Sequence, residues 1–108
     1  DGAVYFGSDD GFLYALRLRD GRLQWKSRLG SILESKPAAA GDLVVVGSEG
    51  GAIFALDRAN GQVLWQYQTG GPIPAGPTIA DGLMLVGSLD RRVHAFRLEP
   101  NDAGEGPP

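Results

Sequence analysis

The sequence contains no cysteine, a single histidine and no long apolar run. Without cysteine it has no disulfide framework, no thiol nucleophile and no cysteine-ligated zinc, and one histidine argues against a zinc site. No apolar stretch approaches the roughly 18 residues that a membrane span needs, so no transmembrane segment is expected. Basic residues are also few, with 10 Lys and Arg against 13 Asp and Glu for a net charge of −3. This balance lacks the basic footprint of a nucleic-acid-binding protein.

The residues that are present have the composition of one globular domain. The 108 residues are 43% hydrophobic and 21% charged, which argues against wholesale disorder. The 17 glycines and 7 prolines are spaced rather than clustered, so collagen-like and linker-like chains are excluded.

Regularly placed glycines reveal an internal repeat of 40 residues. The pair Gly-Ser occurs at residues 7–8, 47–48 and 87–88. The same offset relates further turn, small and aromatic residues, namely Ala15, Ala55 and Ala95, Gly11 and Gly51, Gly21 and Gly61, Trp25 and Trp65, and Pro37 and Pro77. Because these residue types decide turns and packing, the repeat indicates a repeated structural unit.

Each repeat has the pattern of four short strands separated by turns. In the second repeat, DLVVVGS at 42–48 is rich in β-branched residues, AIFALD follows at 52–57 and QVLWQYQT at 62–69. A further short strand is expected after each of the repeat-related prolines, Pro37 and Pro77. Four antiparallel strands per period, with no helical periodicity, predict an all-β fold. We expect a partial β-propeller of about two and a half four-stranded antiparallel blades of ~40 residues each.

The turn between the last two strands predicts a specific pairing in each repeat. If the second hairpin is centred on residue 60, Ala55 lies across from Trp65, and Ala15 lies across from Trp25 in the first repeat. An alanine opposite an indole leaves room for the ring to lie over the sheet and pack against the next blade.

The segment from Ala55 to Trp65 resembles the tryptophan-docking motif of the PQQ-like (quinoprotein) propeller repeats, which reads A-x-D-x-x-T-G-K-x-x-W. Asp57 and Gly61 also match it. The first repeat has Arg17 in place of the aspartate and keeps the other three motif residues, Ala15, Gly21 and Trp25. The resemblance covers residues 1–98 and implies that both tryptophans are blade-packing residues.

The family topology, with strands A to D from hub to rim, implies where the blades begin and end. Residues 1–30 would give strands B to D of one blade, 31–70 a complete blade and 71–98 strands A to C of a third, followed by a disordered C-terminal tail at 99–108. Such a chain cannot close a ring alone, so its partners would be the remaining propeller blades or copies of itself. In many propellers of this family the last blade takes its outer strand from the start of the chain. We expect the outer edge at residues 93–98 to expose Phe96 and Leu98.

The resemblance implies no cofactor in this segment. Quinoprotein dehydrogenases of the family use PQQ, a calcium ion with carboxylate and amide ligands, an acidic base and often a vicinal disulfide, and no residue set here matches those ligand positions. Ser8, Ser48 and Ser88 have no paired base, and His94 is expected on the packed face occupied by aromatic residues in the other repeats. We therefore predict no catalytic, cofactor-binding or metal-binding residue. PQQ and calcium would apply only if the parent protein were a quinoprotein dehydrogenase.

One group of charged residues is a candidate binding face: Asp9, Asp10, Glu34, Glu49, Asp90 and Arg91. Most lie in the turns between strands B and C, which in the family topology share a face with the D–A loops at 30–36 and 70–76. The aspartates have two interpretations. They cap backbone N–H groups within their own turns, or they form an acidic face that binds a basic ligand, a peptide or calcium.

We expect a non-catalytic PQQ-like repeat propeller segment that acts as a protein-binding, ligand-binding or scaffolding module, with a protein or peptide as partner. Three alternatives stay open. The chain would be the C-terminal fragment of a PQQ-dependent quinoprotein dehydrogenase with its active site in other blades, a propeller like the outer-membrane protein assembly lipoprotein, or a kinase-linked sensor propeller. The resemblance implies a bacterial, extracytoplasmic or periplasmic setting.

Overall fold

A computed structural model describes residues 2–33 and 35–97, which form ten β-strands in three antiparallel sheets. Blade 1 contains β1 (Ala3–Gly7), β2 (Phe12–Arg17) and β3 (Leu23–Arg28). Blade 2 contains β4 (Ala38–Ala40), β5 (Leu43–Gly47), β6 (Ala52–Asp57) and β7 (Val63–Gln68). Blade 3 contains β8 (Thr78–Ala80), β9 (Leu83–Ser88) and β10 (Arg92–Arg97).

The strand order confirms the predicted all-β partial propeller. The described residues contain no helix, and the sheets have three, four and three strands in simple sequential order. Strand ends differ from the expected ones by about a residue. β1 stops at Gly7 because the next N–H, that of Ser8, bonds to the carbonyl of Phe12 within the turn. The predicted tail at 99–108 lies outside the described residues.

The hairpins β2–β3 and β6–β7 have the predicted register. Ala15 pairs with Trp25 and Ala55 pairs with Trp65, and each hairpin shifts register by a bulge just after its alanine. Because a bulge strengthens the local twist, it tilts the outer strand and its indole relative to the inner strands.

The core lies between the blades rather than within one sheet. Blade 2 is apolar on both faces because Val44 and Val46 pack against blade 1, whereas Val45 packs against blade 3. Its next strand divides in the same way, with Phe54 facing blade 1 and Ile53 facing blade 3. The unbroken VVV run is therefore a strand buried on both sides, which needs no polar alternation.

The environment of Phe96 differs from the expectation. The side chain was predicted to be exposed at the open edge, yet it is 4% exposed and lies against Trp65 and Tyr67, with ring centroids 5.6 and 5.1 Å away. Side chains alternate between the two faces of a strand, and residue 96 points toward blade 2. Leu98, the other residue expected at this edge, lies outside the described residues.

Candidate binding face

The turns between β1 and β2, between β5 and β6, and between β9 and β10 follow the same hydrogen-bond plan. In blade 2 the Ser48 N–H donates to the carbonyl of Ala52 at 3.0 Å, and the Gly51 N–H donates to the carbonyl of Ser48 at 3.0 Å. The Ser48 hydroxyl also donates to the carbonyl of Ala52 and accepts from its N–H. The serine of each Gly-Ser pair therefore holds a turn, and among residues 2–33 and 35–97 its hydroxyl has no carboxylate or imidazole partner of the kind that activates a nucleophile.

Neighbouring blades are joined on this side by bonds between loops. The Glu49 N–H of blade 2 donates to the carbonyl of Ile32 at 2.9 Å, and the N–H of the following Gly50 donates to the Ser31 hydroxyl at 3.2 Å. One blade further on, the Leu89 N–H donates to the carbonyl of Pro72 at 2.8 Å. The turns and the intervening loops therefore form one continuous surface, which we call the turn face.

Asp10 and Asp90 occupy equivalent positions on the turn face and make equivalent bonds. Oδ1 of Asp10 accepts the N–H of Phe12 at 3.0 Å, and Oδ2 accepts the hydroxyl of Tyr14 at 2.6 Å. In blade 3, Oδ1 of Asp90 accepts the N–H of Arg92 at 2.9 Å. The structure thus shows the turn-capping interpretation of these two carboxylates.

Asp90 also joins two blades. Its Oδ2 lies 3.0 Å from the Gly70 N–H of blade 2 and 3.0 Å from Nε2 of His94. The side chains of Asp90 and His94 are each 13% exposed, and the imidazole ring lies 5.7 Å from the Tyr67 ring. His94 is therefore on the packed face, as expected, and positions a carboxylate that holds the neighbouring loop.

These bonds determine the direction of three pKa shifts. The Tyr14 hydroxyl and the Phe12 N–H lower the pKa of Asp10, and the same contact raises the pKa of Tyr14. The Gly70 N–H, with His94 and the Arg92 N–H, lowers the pKa of Asp90. Both carboxylates are thus held in the charged form, so they act as fixed acceptors rather than as proton donors.

Three further residues of the predicted binding face, Asp9, Glu49 and Arg91, are exposed on the turn face, and Arg91 has a φ of 72°. Glu34 lies outside the described residues. The structure therefore shows two aspartates whose carboxylates bond within the fold, of which Asp10 is also exposed, and three exposed residues for which no side-chain bond is described.

A second kind of site joins blades 1 and 2 at the outer strand β3, and we call it the indole dock. Trp25 is 8% exposed, and its Nε1–H donates to the carbonyl of Arg58 at 3.0 Å. Its ring lies over Gly61, where an added Cβ would be 2.6 Å from Cδ2 of the indole. The Ser27 hydroxyl donates to the carbonyl of the same glycine. The dock therefore consists of one carbonyl and one glycine of the next blade.

Several residues with structural roles were not singled out from the sequence. Arg58 is exposed, yet Nε donates to the Tyr5 hydroxyl at 2.9 Å and Nη1 to the carbonyl of Gly41 at 3.1 Å. The buried hydroxyls of Thr69 and Ser88 lie 2.9 Å apart across two blades. Position 69 has no hydroxyl counterpart in the first repeat, so the repeat alignment offers no signal for it.

An open cavity of about 300 Å³ lies at the other end of the strands, between blades 1 and 2. Its lining consists of Ala3, Tyr5, Gln24, Asp42, Asp57, Arg58 and Ala59. Asp57 Oδ1 accepts the Ala59 N–H at 2.8 Å, which leaves Asp42 as the carboxylate here without a partner in the described part of the chain. Within residues 2–33 and 35–97, no three His, Asp or Glu side chains come together as a cation site would need.

The lowered pKa values predict an acid-dependent loss of stability. A carboxyl whose folded pKa lies below its unfolded value of about 3.9 stabilises the fold above that value, and the stabilisation is lost as the pH falls through the folded pKa. Replacing Asp10 and Asp90 together with asparagine should make the fall in melting temperature below about pH 4 shallower. Asp9→Asn is the control, because Asp9 is exposed and has no side-chain bond among the described residues. The same dependence of melting temperature on pH for the unmodified chain, the double variant and Asp9→Asn would contradict the assignment.

The 40-residue repeat, the sequential antiparallel sheets and the docked indole define a PQQ-like repeat β-propeller. A family profile described as outer membrane protein assembly factor BamB matches residues 2–103, and the chain belongs to this family.

Solved structures agree with that assignment. BamB from Moraxella catarrhalis is 32% identical with a TM-score of 0.84, over 97% of this chain and 31% of BamB. Quinohemoprotein alcohol dehydrogenase ADHIIG from Pseudomonas putida HK5 is 26% identical with a TM-score of 0.76, over 92% of this chain and 18% of the enzyme. The computationally designed protein Ika4 shares the fold at 21% identity with a TM-score of 0.80, over 92% of this chain and 62% of Ika4. Curated protein sequences give no match.

Two further findings concern how much of its relatives the chain spans and whether it has a membrane-spanning helix. This chain spans only 31% of BamB and 18% of the dehydrogenase, so each of those proteins contains much that has no counterpart here. Over the described ranges, no helix has the length and apolar character to cross a bilayer.

Proposed function

We propose that this chain is a non-catalytic propeller segment that takes part in protein–protein interaction in outer-membrane protein assembly, outside the cytoplasm. The proposal rests on the observation that a chain of the BamB family presents the turn face as a continuous surface. Loop-to-loop bonds hold this surface together, and it exposes Asp9, Glu49 and Arg91. A rigid scaffold that presents adaptable loops is a common arrangement for recognition.

The chemistry of the turn face supports binding rather than catalysis. Asp10 and Asp90 are ionised and accept hydrogen bonds from their own turns, so neither is poised to exchange a proton near neutral pH. The hydroxyls of Ser48 and Ser88 bond to backbone groups of the turns and loops. The groups available to a partner are the exposed charged side chains of the loops. Such charges at an interface raise the association rate and the specificity for a partner of complementary charge.

Binding can be tested with the purified components of the outer-membrane assembly machinery from the source organism, by isothermal titration. The triple variant Asp9→Asn, Glu49→Gln, Arg91→Gln should bind about tenfold or more weakly, because rim charges each contribute modestly and act together. Its melting temperature should not change, since all three side chains are exposed.

The matched control removes the same charges from the opposite end of the strands, as Asp42→Asn, Asp81→Asn and Arg22→Gln. All three of these side chains are exposed. The control should bind like the unmodified chain. Equal weakening by both triple variants, or no binding to any component, would contradict the proposal.

The second candidate is a segment of a quinoprotein dehydrogenase, which the 26% identity to quinohemoprotein alcohol dehydrogenase favours. Against this candidate, no three carboxylate or histidine side chains come together among the described residues. Adding PQQ with calcium should therefore leave the thermal midpoint unchanged. A ligand at one hundred times its Kd would add about 2.7 kcal/mol of stability, so a clear upward shift would be visible and would favour the enzyme.

A further inference from the structure

The turn between β6 and β7 contains Asn60 followed by Gly61, which is the only Asn-Gly pair in the sequence. Asn60 is exposed, and Gly61 has a φ of 79°. The pair suits a tight turn because glycine adopts this conformation without steric cost. Glycine also has no side chain to shield its backbone nitrogen, so the amide group of Asn60 is followed by an unhindered nucleophile.

Deamidation at such a pair needs only water as co-reactant. The Gly61 nitrogen bonds to Cγ of Asn60 while the bond from Cγ to Nδ2 breaks, and the proton of that nitrogen leaves with the ammonia. Water then opens the five-membered succinimide that remains. Opening at the side-chain carbonyl gives aspartate, whereas opening at the main-chain carbonyl gives isoaspartate, in which the main chain is one carbon longer.

The folded turn opposes this reaction. The Gly61 N–H donates to the carbonyl of Asp57 at 2.7 Å, so its proton is held in a hydrogen bond and is not given up to solvent. Oδ1 of Asn60 accepts the N–H of Gln62 at 2.9 Å, which keeps the side chain in the turn and away from ring closure. Deamidation therefore requires that the turn open first.

The indole dock determines how often the turn opens. The Trp25 ring covers Gly61 so closely that an added Cβ would lie 2.6 Å from Cδ2, and the Ser27 hydroxyl donates to the Gly61 carbonyl. The Trp25 Nε1–H also bonds to the carbonyl of Arg58, where the same turn begins. Opening of the turn must break these contacts, so its free energy includes that of the dock.

The aspartate product fits this turn. The first repeat has Asp20 at the position of Asn60. Oδ1 of Asp20 accepts the Arg22 N–H at 3.1 Å, just as Oδ1 of Asn60 accepts the Gln62 N–H. A carboxylate at this position therefore makes the bond that the amide makes.

The isoaspartate product does not fit. The Asp57 N–H donates to the carbonyl of Gln62 at 2.8 Å and the Gly61 N–H returns to the carbonyl of Asp57, so both bonds span position 60. An extra main-chain carbon between the bonded groups cannot satisfy both bonds while Gly61 stays beneath the Trp25 ring. The contact between blades 1 and 2 is therefore weakened by isoaspartate and not by aspartate.

We propose that Asn60 is a site of spontaneous deamidation, that the indole dock sets the rate of the reaction, and that the isoaspartate product loosens the contact between blades 1 and 2. The site lies at the end of the strands opposite the turn face, so it is independent of the proposed binding to a partner.

Trypsin digestion and mass spectrometry of the incubated chain measure the rate. The tryptic peptide 59–91 contains Asn60 as its only asparagine, and deamidation exchanges an NH2 for an OH in it. The reaction should be about tenfold or more slower in buffer than in urea. Trp25→Ala should accelerate it in buffer about tenfold or more, since a factor of ten needs only about 1.4 kcal/mol of opening free energy. Gln66→Ala, on the exposed strand β7, is the control and should leave the rate unchanged.

A milder variant decides the matter if circular dichroism shows that Trp25→Ala is unfolded. Ser27→Ala removes one hydrogen bond to Gly61 and should raise the rate about threefold. Equal rates in buffer and in urea would overturn the proposal. So would a folded Trp25→Ala, or Ser27→Ala in its place, that reacts no faster than the unmodified chain.

The stability of the two products tests the last part of the proposal. The isoaspartate form, separated by chromatography and identified by its methylation with isoaspartate methyltransferase, should unfold at a lower urea concentration than the unmodified chain. Asn60→Asp carries the other product and should unfold at the same concentration as the unmodified chain. Equal stability of the isoaspartate form and Asn60→Asp would contradict the loosening of the contact. Asn60→Ser has no amide to lose, so its peptide should show no change of mass at this position.

Discussion

Replacement of Trp25 by alanine is expected to lower the free energy of unfolding by about 3–5 kcal/mol. The indole is 8% exposed, belongs to the cluster between blades 1 and 2, and lies 5.9 Å from the Tyr5 ring. Its removal leaves a cavity at this contact and leaves the carbonyl of Arg58 without its donor. Both effects fall on the contact that joins two blades, so they weaken it together.

Urea denaturation followed by circular dichroism measures this effect. Gln66→Ala, on the exposed outer strand β7, is the control and should change stability by no more than about 0.5 kcal/mol. Arg58→Ala is a poor control despite its exposure, because the guanidinium bonds to Tyr5 and Gly41. Trp65→Ala should be milder than Trp25→Ala, since Trp65 is only half-buried. Similar losses for Trp25→Ala and Gln66→Ala would contradict the dock.

Replacement of Gly61 by alanine should be far more harmful than the same change at Gly21. Both glycines have φ values in the left-handed region, 79° and 73°, so each substitution carries a backbone cost of about 1–2 kcal/mol. Only at Gly61 does the new Cβ overlap the Trp25 ring. Gly61→Ala therefore adds the loss of the dock to the backbone cost, whereas Gly21→Ala measures the backbone cost alone.

A double-mutant cycle identifies the cause. In the Trp25→Ala background the ring is absent, so Gly61→Ala should cost much less than in the unmodified chain, although the new Cβ still lies 2.7 Å from the Ser27 hydroxyl and keeps the cost above that of Gly21→Ala. The measurement is again the free energy of unfolding in urea. Equal costs for the two glycine substitutions in the unmodified chain, or strictly additive costs in the cycle, would show that the indole does not press on Gly61.

Short-range features of the fold could be predicted from the sequence. The 40-residue repeat placed the strands to within about a residue, and the turn positions led to the correct pairing of Ala55 with Trp65. The aspartates at 10 and 90 were expected in turns and cap turns. These features follow from turn geometry and from the alternation of side chains, both of which act over a few residues.

The sequence by itself therefore determined the repeat, the strand pattern and the register of each hairpin. Only the tertiary structure decided which groups meet between blades: that the carbonyl of Arg58 receives the indole, that Asp90 holds Gly70, and that Phe96 is buried on Trp65. These partners are separated by 20 or more residues along the chain. Their contacts depend on how whole sheets stack, and a local pattern carries no information on the distance or angle between sheets.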